Sequence, residues 1–141
     1  MVDGSGTMGQ TYKVVARYAD TRVAKGFTED FHPDKPRFSL RPPTAAAEAK
    51  PVEVRDLKAV FFVRDFAGDP RYQERKRFDD SERPPGRKAE VTFYDGEILV
   101  GSTTTGYVPD RTGFFLTPAD PRSNNLRVFA VTDAIRAFRY L

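Results

Sequence analysis

The feature that most limits what this chain can fold into is that it repeats itself at a nearly constant offset. Val14-Val15-Ala16-Arg17-Tyr18, leading into Asp20-Thr21-Arg22-Val23-Ala24-Lys25-Gly26, is matched by Ala89-Glu90-Val91-Thr92-Phe93 leading into Asp95-Gly96-Glu97-Ile98-Leu99-Val100-Gly101. Phe31-His32-Pro33-Asp34 faces Tyr107-Val108-Pro109-Asp110, and Arg37-Phe38-Ser39-Leu40 faces Gly113-Phe114-Phe115-Leu116, with the offset grown by one. It grows by one again where Val52-Glu53-Val54 matches Phe129-Ala130-Val131, and once more where Leu57 to Val63 matches Ile135 to Leu141. Loops absorb each added residue, as expected of a tandem duplication.

Each copy reads as five short strands. Residues 13–18 and 90–94 alternate apolar and polar, Asp20-Thr21 and Asp95-Gly96 supply turns, and residues 22–27 and 97–103 return as second strands. Gly26 and Gly101 suit a bulge or sharp bend in those second strands. Third strands at 37–41 and 113–117 precede fourth strands at 51–54 and 127–131, and a short turn leads to fifth strands at 59–63 and 136–141. The expected architecture is all-β: two tandem five-stranded SH3/Sm-like barrels from an internal duplication. The expected organisation is a flexible tail over 1–10, a first barrel over 11–66, a charged connector over 67–88 and a second barrel over 89–141. Thr44 to Lys50 is too short for a helix that stands alone and reads as a loop. Asp69 to Arg75 is a candidate for one or two helical turns capped by Asp69.

Composition narrows the function. The sequence has no cysteine and a single histidine, His32, whose counterpart in the second copy is Val108. Thiolate chemistry, zinc ribbons and iron–sulfur clusters are excluded, and no enzyme, metal or cofactor is expected. Apolar runs such as Ala59 to Val63 are far too short to cross a bilayer, which leaves a cytoplasmic protein as the expectation. Net charge is only +3, from 23 basic and 20 acidic residues, 16 of the basic ones being arginine.

Val91-Thr92-Phe93-Tyr94-Asp95-Gly96-Glu97-Ile98-Leu99-Val100-Gly101, followed by Phe114-Phe115-Leu116 and a closing strand, is similar to the first part of Sm/Hfq-like proteins. With Val60-Phe61-Phe62-Val63-Arg64-Asp65-Phe66 and Pro118-Ala119-Asp120-Pro121-Arg122-Ser123-Asn124-Asn125, the whole chain resembles an uncharacterised bacterial family of tandem small β-barrels seen near PilZ-type signalling domains. The resemblance implies the barrel fold and no established activity. Sm proteins that bind RNA carry an Asp, an apolar residue and Asn after the third strand's start and Arg-Gly before the last strand. Here the third strand runs through Phe114-Phe115-Leu116, and the late turn is Thr132-Asp133-Ala134.

Candidate sites follow from residues that a strand face does not explain. The loop and connector aromatics Phe31, Phe66, Tyr72, Phe78 and Tyr107, with His32 and Arg111, are candidates for contact with a partner protein. The leading expectation is accordingly a non-catalytic intracellular adaptor or regulatory protein-binding module, with oligomerisation through a free strand edge as a further option. The alternative is RNA binding through Arg71, Arg75, Lys76, Arg77, Arg83 and Arg87. Arg71 to Arg75 and Arg83 to Arg87 also have the Arg-x-x-x-Arg spacing of PilZ domains, so cyclic-dinucleotide binding is a weaker alternative, without the accompanying Asp/Asn-x-Ser-x-x-Gly.

Overall fold

The computed structural model describes residues 10–44 and 47–141, all of it strand, turn and loop apart from two single 3-10 turns. The tail at 1–9 and the middle of the Thr44 to Lys50 segment lie outside the described residues. Ten strands follow in order: β1 (Tyr12–Tyr18), β2 (Val23–Thr28), β3 (Arg37–Leu40), β4 (Lys50–Glu53), β5 (Leu57–Val63), β6 (Arg87–Phe93), β7 (Ile98–Thr103), β8 (Gly113–Pro118), β9 (Asn125–Val131) and β10 (Ile135–Tyr140). The 3-10 turns Val54–Asp56 and Thr132–Ala134 precede β5 and β10, where the sequence predicts a tight turn.

Eight strands form one antiparallel sheet in the order β10-β6-β7-β8-β9-β5-β1-β2, and β3-β4 form a second. A bridge from Phe27 to Arg41 ties β2 to the start of the loop after β3. The sheet therefore runs on across both halves instead of closing separately within each.

Strand pairing recurs from one half to the other. Arg37 pairs with Glu53 and Leu40 with Lys50, as Gly113 pairs with Val131 and Leu116 with Val128. The pairing thus makes Glu53 the counterpart of Val131, where the sequence match sets Val54 against it. Irregular bonds recur too: Ala19 N–H donates to Asp56 O at 3.0 Å and Tyr94 N–H to Ala134 O at 3.0 Å, while Val54 donates to Pro36 and Thr132 to Thr112. The two hairpin turns, unlike in sequence, are alike in shape. Thr21 (φ 82°) and Gly96 (φ 94°) both take the left-handed conformation, and the carboxylates of Asp20 and Asp95 each accept the amide two residues on.

Gly26 and Gly101 are required for a reason other than a bulge. A Cβ on Gly26 would lie 2.4 Å from Arg41 O, and one on Gly101 2.2 Å from Thr117 O, so each glycine lets the following strand cross against its own backbone. The register shifts fall elsewhere, at Arg17/Tyr18, Asn125/Arg127 and Ile135/Ala137.

The packing makes two cores with a shared wall. Val14, Ala16, Phe38, Leu40, Val52, Val60 and Phe62 fill the first half, joined by Phe129 and Val131 of β9. Val91, Phe93, Leu99, Phe114, Leu116, Val128 and Ala130 fill the second, joined by Val15, Ala59, Phe61 and Val63. β5 is buried along its whole length because it pairs with β1 on one side and β9 on the other and lends its two faces to different cores.

Two stability changes follow. Thr21→Gly removes a β-branched residue from the left-handed region and should raise unfolding free energy by about 1 kcal/mol in urea denaturation. Gly101→Ala forces a methyl group into backbone and should lower it by about 3 kcal/mol in the same measurement.

Candidate functional site

A groove of about 450 Å³ runs along the outer face of the first half. Its floor is Val15 of β1 with Phe61 and Val63 of β5, and Arg17 and Lys25 stand on its first wall. Alternation along β1 puts Val15 and Arg17 on one face, and the β1–β2 register sets Lys25 opposite Val15. Phe66, Ala67, Asn124 and Asn125 close one end, and Lys58 with Glu97 close the other. From Lys58 to Val63 the floor strand covers about 17 Å at strand rise.

The cations of the groove differ in availability. Lys58, buried in the seam between the halves, pairs with Asp95 at 2.7 Å and with Glu97, on the turn between β6 and β7. The Lys58 ammonium, aided by the Glu97 amide, holds the Asp95 carboxyl below its usual range. Lys25 is exposed and donates to Phe66 O at 3.0 Å. The Arg17 guanidinium is exposed, 5.8 Å from the Phe61 ring, with no carboxylate within ion-pair distance among the described residues.

The end of the groove is built by Phe66 and the start of the connector, a stretch held down from Arg64 to Arg75. Asn124 accepts from Asp65 N–H and donates to Asp65 O, and Arg64 donates to Ser123 O at 3.1 Å. The buried Asp120 carboxylate accepts the Arg75 amide, the Tyr72 hydroxyl and the Arg122 amide, and the first two hold its pKa low. Its bond to Tyr72 pushes that phenol up. Glu74 accepts from the Ser123 hydroxyl. The expected helical turns at Asp69 to Arg75 are replaced by one turn, in which Asp69 accepts the Arg71 and Tyr72 amides through its side chain and carbonyl.

Most of the residues predicted as contacts are used by the fold. Phe31 is half-buried among Phe38 (5.3 Å), Phe62 (5.4 Å) and Phe129 (5.1 Å), and its counterpart Tyr107 packs on Phe114 and stacks on Phe138 at 5.7 Å. These two aromatics close equivalent ends of the two cores. Phe78 lies under the Lys88 ammonium at 5.1 Å. His32 is exposed, its Nδ1 accepting the Asp34 amide at 3.1 Å, and Arg111 is exposed on the equivalent loop. Of the set, Phe66 alone lines the groove, edge-on to Phe27 at 5.3 Å.

The arginines of the connector are not brought together as one patch. Arg75 makes two bonds to Glu82, a weaker pair with Asp79 and a bond to Ala119 O at 2.7 Å. Lys76 pairs with Glu74, Arg83 turns back to Asp80 O and Glu82 O, and Arg87 lies 3.6 Å from the Tyr140 ring. Arg71 and Arg77 project into solvent. Among the described residues no group of His, Cys, Asp and Glu is placed to hold a metal ion, and no helix is long and apolar enough to cross a membrane.

Sequence reasoning missed Arg17, Lys25, Lys58, Asn124 and Asn125. A signal for the first two existed: their counterparts in the second copy are Thr92 and Val100, so the first half carries cations where its repeat does not.

The two stretches that carry the family resemblance, Val60 to Phe66 and Pro118 to Asn125, meet at the end of this groove. The chain belongs to a family of unknown function, DUF6982, whose model matches residues 10–141. No curated protein and no solved structure matches it.

Removing the seam cation tests how the halves are joined. Lys58→Ala leaves Asp95 and Glu97 side by side, and with both acids partly exposed it should cost about 2 kcal/mol. Because the folded Asp95 pKa is depressed, its contribution is complete above the unfolded value near 4 and fades as pH falls through the folded one. Comparing urea unfolding at pH 7 and pH 3 should show the difference between parent and Lys58→Ala shrinking in acid.

Proposed function

We propose that the chain is a pair of SH3/Sm-like units, arisen by duplication and fused edge to edge, that serves as a non-catalytic binding module in the cytoplasm. Its groove takes an extended, acidic segment of a partner protein. The observation that carries this reading is a groove over the nearly buried Val15, Phe61 and Val63, with mostly polar accessible lining and the exposed cations Arg17 and Lys25 on one wall. Carboxylates of a bound segment would meet Arg17 and Lys25 while its extended backbone follows the groove. The recurrent strand register and the matched turn bonds support the duplicated units.

Single-stranded RNA fits less well, since its recognition rests on bases stacked on exposed aromatics. Phe61 is buried, and Phe66 is packed edge-on against Phe27. A cyclic dinucleotide finds less support in the connector, because Arg75 is taken up by Glu82 and Ala119 while Arg71 points to solvent.

The test is fluorescence anisotropy with a short labelled peptide alternating Glu and Val, run beside a single-stranded RNA and a cyclic dinucleotide. The peptide should bind, and Arg17→Glu with Lys25→Glu should weaken it by more than about tenfold, or roughly 1.4 kcal/mol. Tighter binding of RNA than peptide, with the same dependence on Arg17 and Lys25, would turn the reading to nucleic acid.

A further inference from the structure

The eight-stranded sheet ends in β10 on one side and β2 on the other. β10 is the counterpart of β5 and pairs with β6 as β5 pairs with β1. On its other side β5 carries β9, whereas among the described residues no strand lies beyond β10. The Leu141 amide donates to Lys88 O on β6. Backbone groups alternate sides along an antiparallel strand, so the amides and carbonyls of Phe138 and Tyr140 face away from β6 and have no ladder partner among the described residues. A row of this kind is a template for an added strand.

The first strand to consider is β4 of a second copy, because β4 is the counterpart of β9. On β5, Phe129 stands opposite Val60 and Val128 opposite Phe61. Carried over by the strand pairing, which makes Pro51 the counterpart of Phe129 and Phe138 that of Val60, this register sets Pro51 opposite Phe138 and Lys50 opposite Arg139. The Val54 amide donates toward β3, to Pro36 O, so the nitrogen of Pro51 lies on the outer side, where Phe138 O needs a donor and proline has none. Lys50 and Arg139 would also oppose each other as like charges. The chain's own β4 is thus unsuited to its own β10.

We propose that β10 is a docking edge for an extended segment of a different protein, laid antiparallel as β9 lies on β5. The segment carries a residue other than proline opposite Phe138 and an acidic residue opposite Arg139. Arg139 is exposed and already holds one carboxylate, Glu90, at 2.8 Å across the neighbouring strand. Arg136 adds a second exposed cation on the same strand, and nearby Leu141 is 56% exposed, leaving apolar surface for the incoming strand to cover. This edge is separate from the groove, so either site can fail without the other.

The probe is a labelled peptide copying Asn125 to Asp133 of the chain with Val128→Glu, set against one copying Glu48 to Asp56. The first peptide should bind and slow hydrogen exchange at the Phe138 and Tyr140 amides, and the second should not bind. Arg139→Glu should weaken the first by about tenfold, and a Val128→Lys peptide should restore binding to that variant, which separates lost charge from lost fold. Unprotected Phe138 and Tyr140 amides, indifference to Arg139→Glu, or equal binding of the Glu48 to Asp56 peptide would overturn the proposal. Sedimentation of the unmodified chain should show a monomer; concentration-dependent self-association would overturn the exclusion of β4.

Discussion

The seam between β5 and β9 is the interaction on which the rest of the molecule depends. A strand with one buried face can sit at the surface of its own half, but β5 has none to spare: Val60 and Phe62 complete one core, and Ala59, Phe61 and Val63 complete the other. β9 is divided in the same way, with Phe129 and Val131 facing one core and Val128 and Ala130 the other. A half of this size would bury too little apolar surface by itself for comfortable stability. Sharing a wall gives each half apolar area that its own residues do not supply. Lys58 sits in this seam, where its ammonium meets two carboxylates of the opposite half in place of water.

The same seam creates the groove. Once β9 and the connector lie beside β5, the outer face of the first half becomes the bottom of a channel, with Asn124 and Phe66 at one end and Lys58 at the other. In the second half no strand lies beside β10 as β9 lies beside β5 among the described residues, and there the counterparts of Arg17 and Lys25 are Thr92 and Val100. Repetition of the fold therefore does not imply repetition of a site, and the asymmetry comes from what each half borders.

How far the residues alone disclosed this differs between levels. Strand positions were legible because alternation and turn residues are local, and both 3-10 turns fall where a tight turn was expected. Gly26 and Gly101 were recognisable as special positions, but their reason is a contact with a later strand or its end, between Gly26 and Arg41 and between Gly101 and Thr117, which no local pattern reports. The sharing of β5 could not be read for the same reason: alternation sends Phe61 and Phe62 to opposite faces, but only the pairing with β9 places a second core against the Phe61 face. Aromatics in loops drew the prediction away from the groove. Phe31 and Tyr107 are loop residues by position yet core residues by packing, because a small core is open at its ends and a large ring is an efficient plug.

The pinned connector has a consequence for how the chain is made. On a ribosome β5 emerges well before β9, and until β9 arrives its outer edge and one apolar face are open to whatever else is nearby. A free tether between them would leave that surface exposed while the two ends searched for each other. The bonds of Asp65 to Asn124 and of Tyr72 and Arg75 to Asp120 shorten the search, since each fastens an intervening piece of chain to the segment just ahead of β9. In this view the charged stretch between the halves is less a spacer than a set of successive fastenings that bring the late strand to the early one.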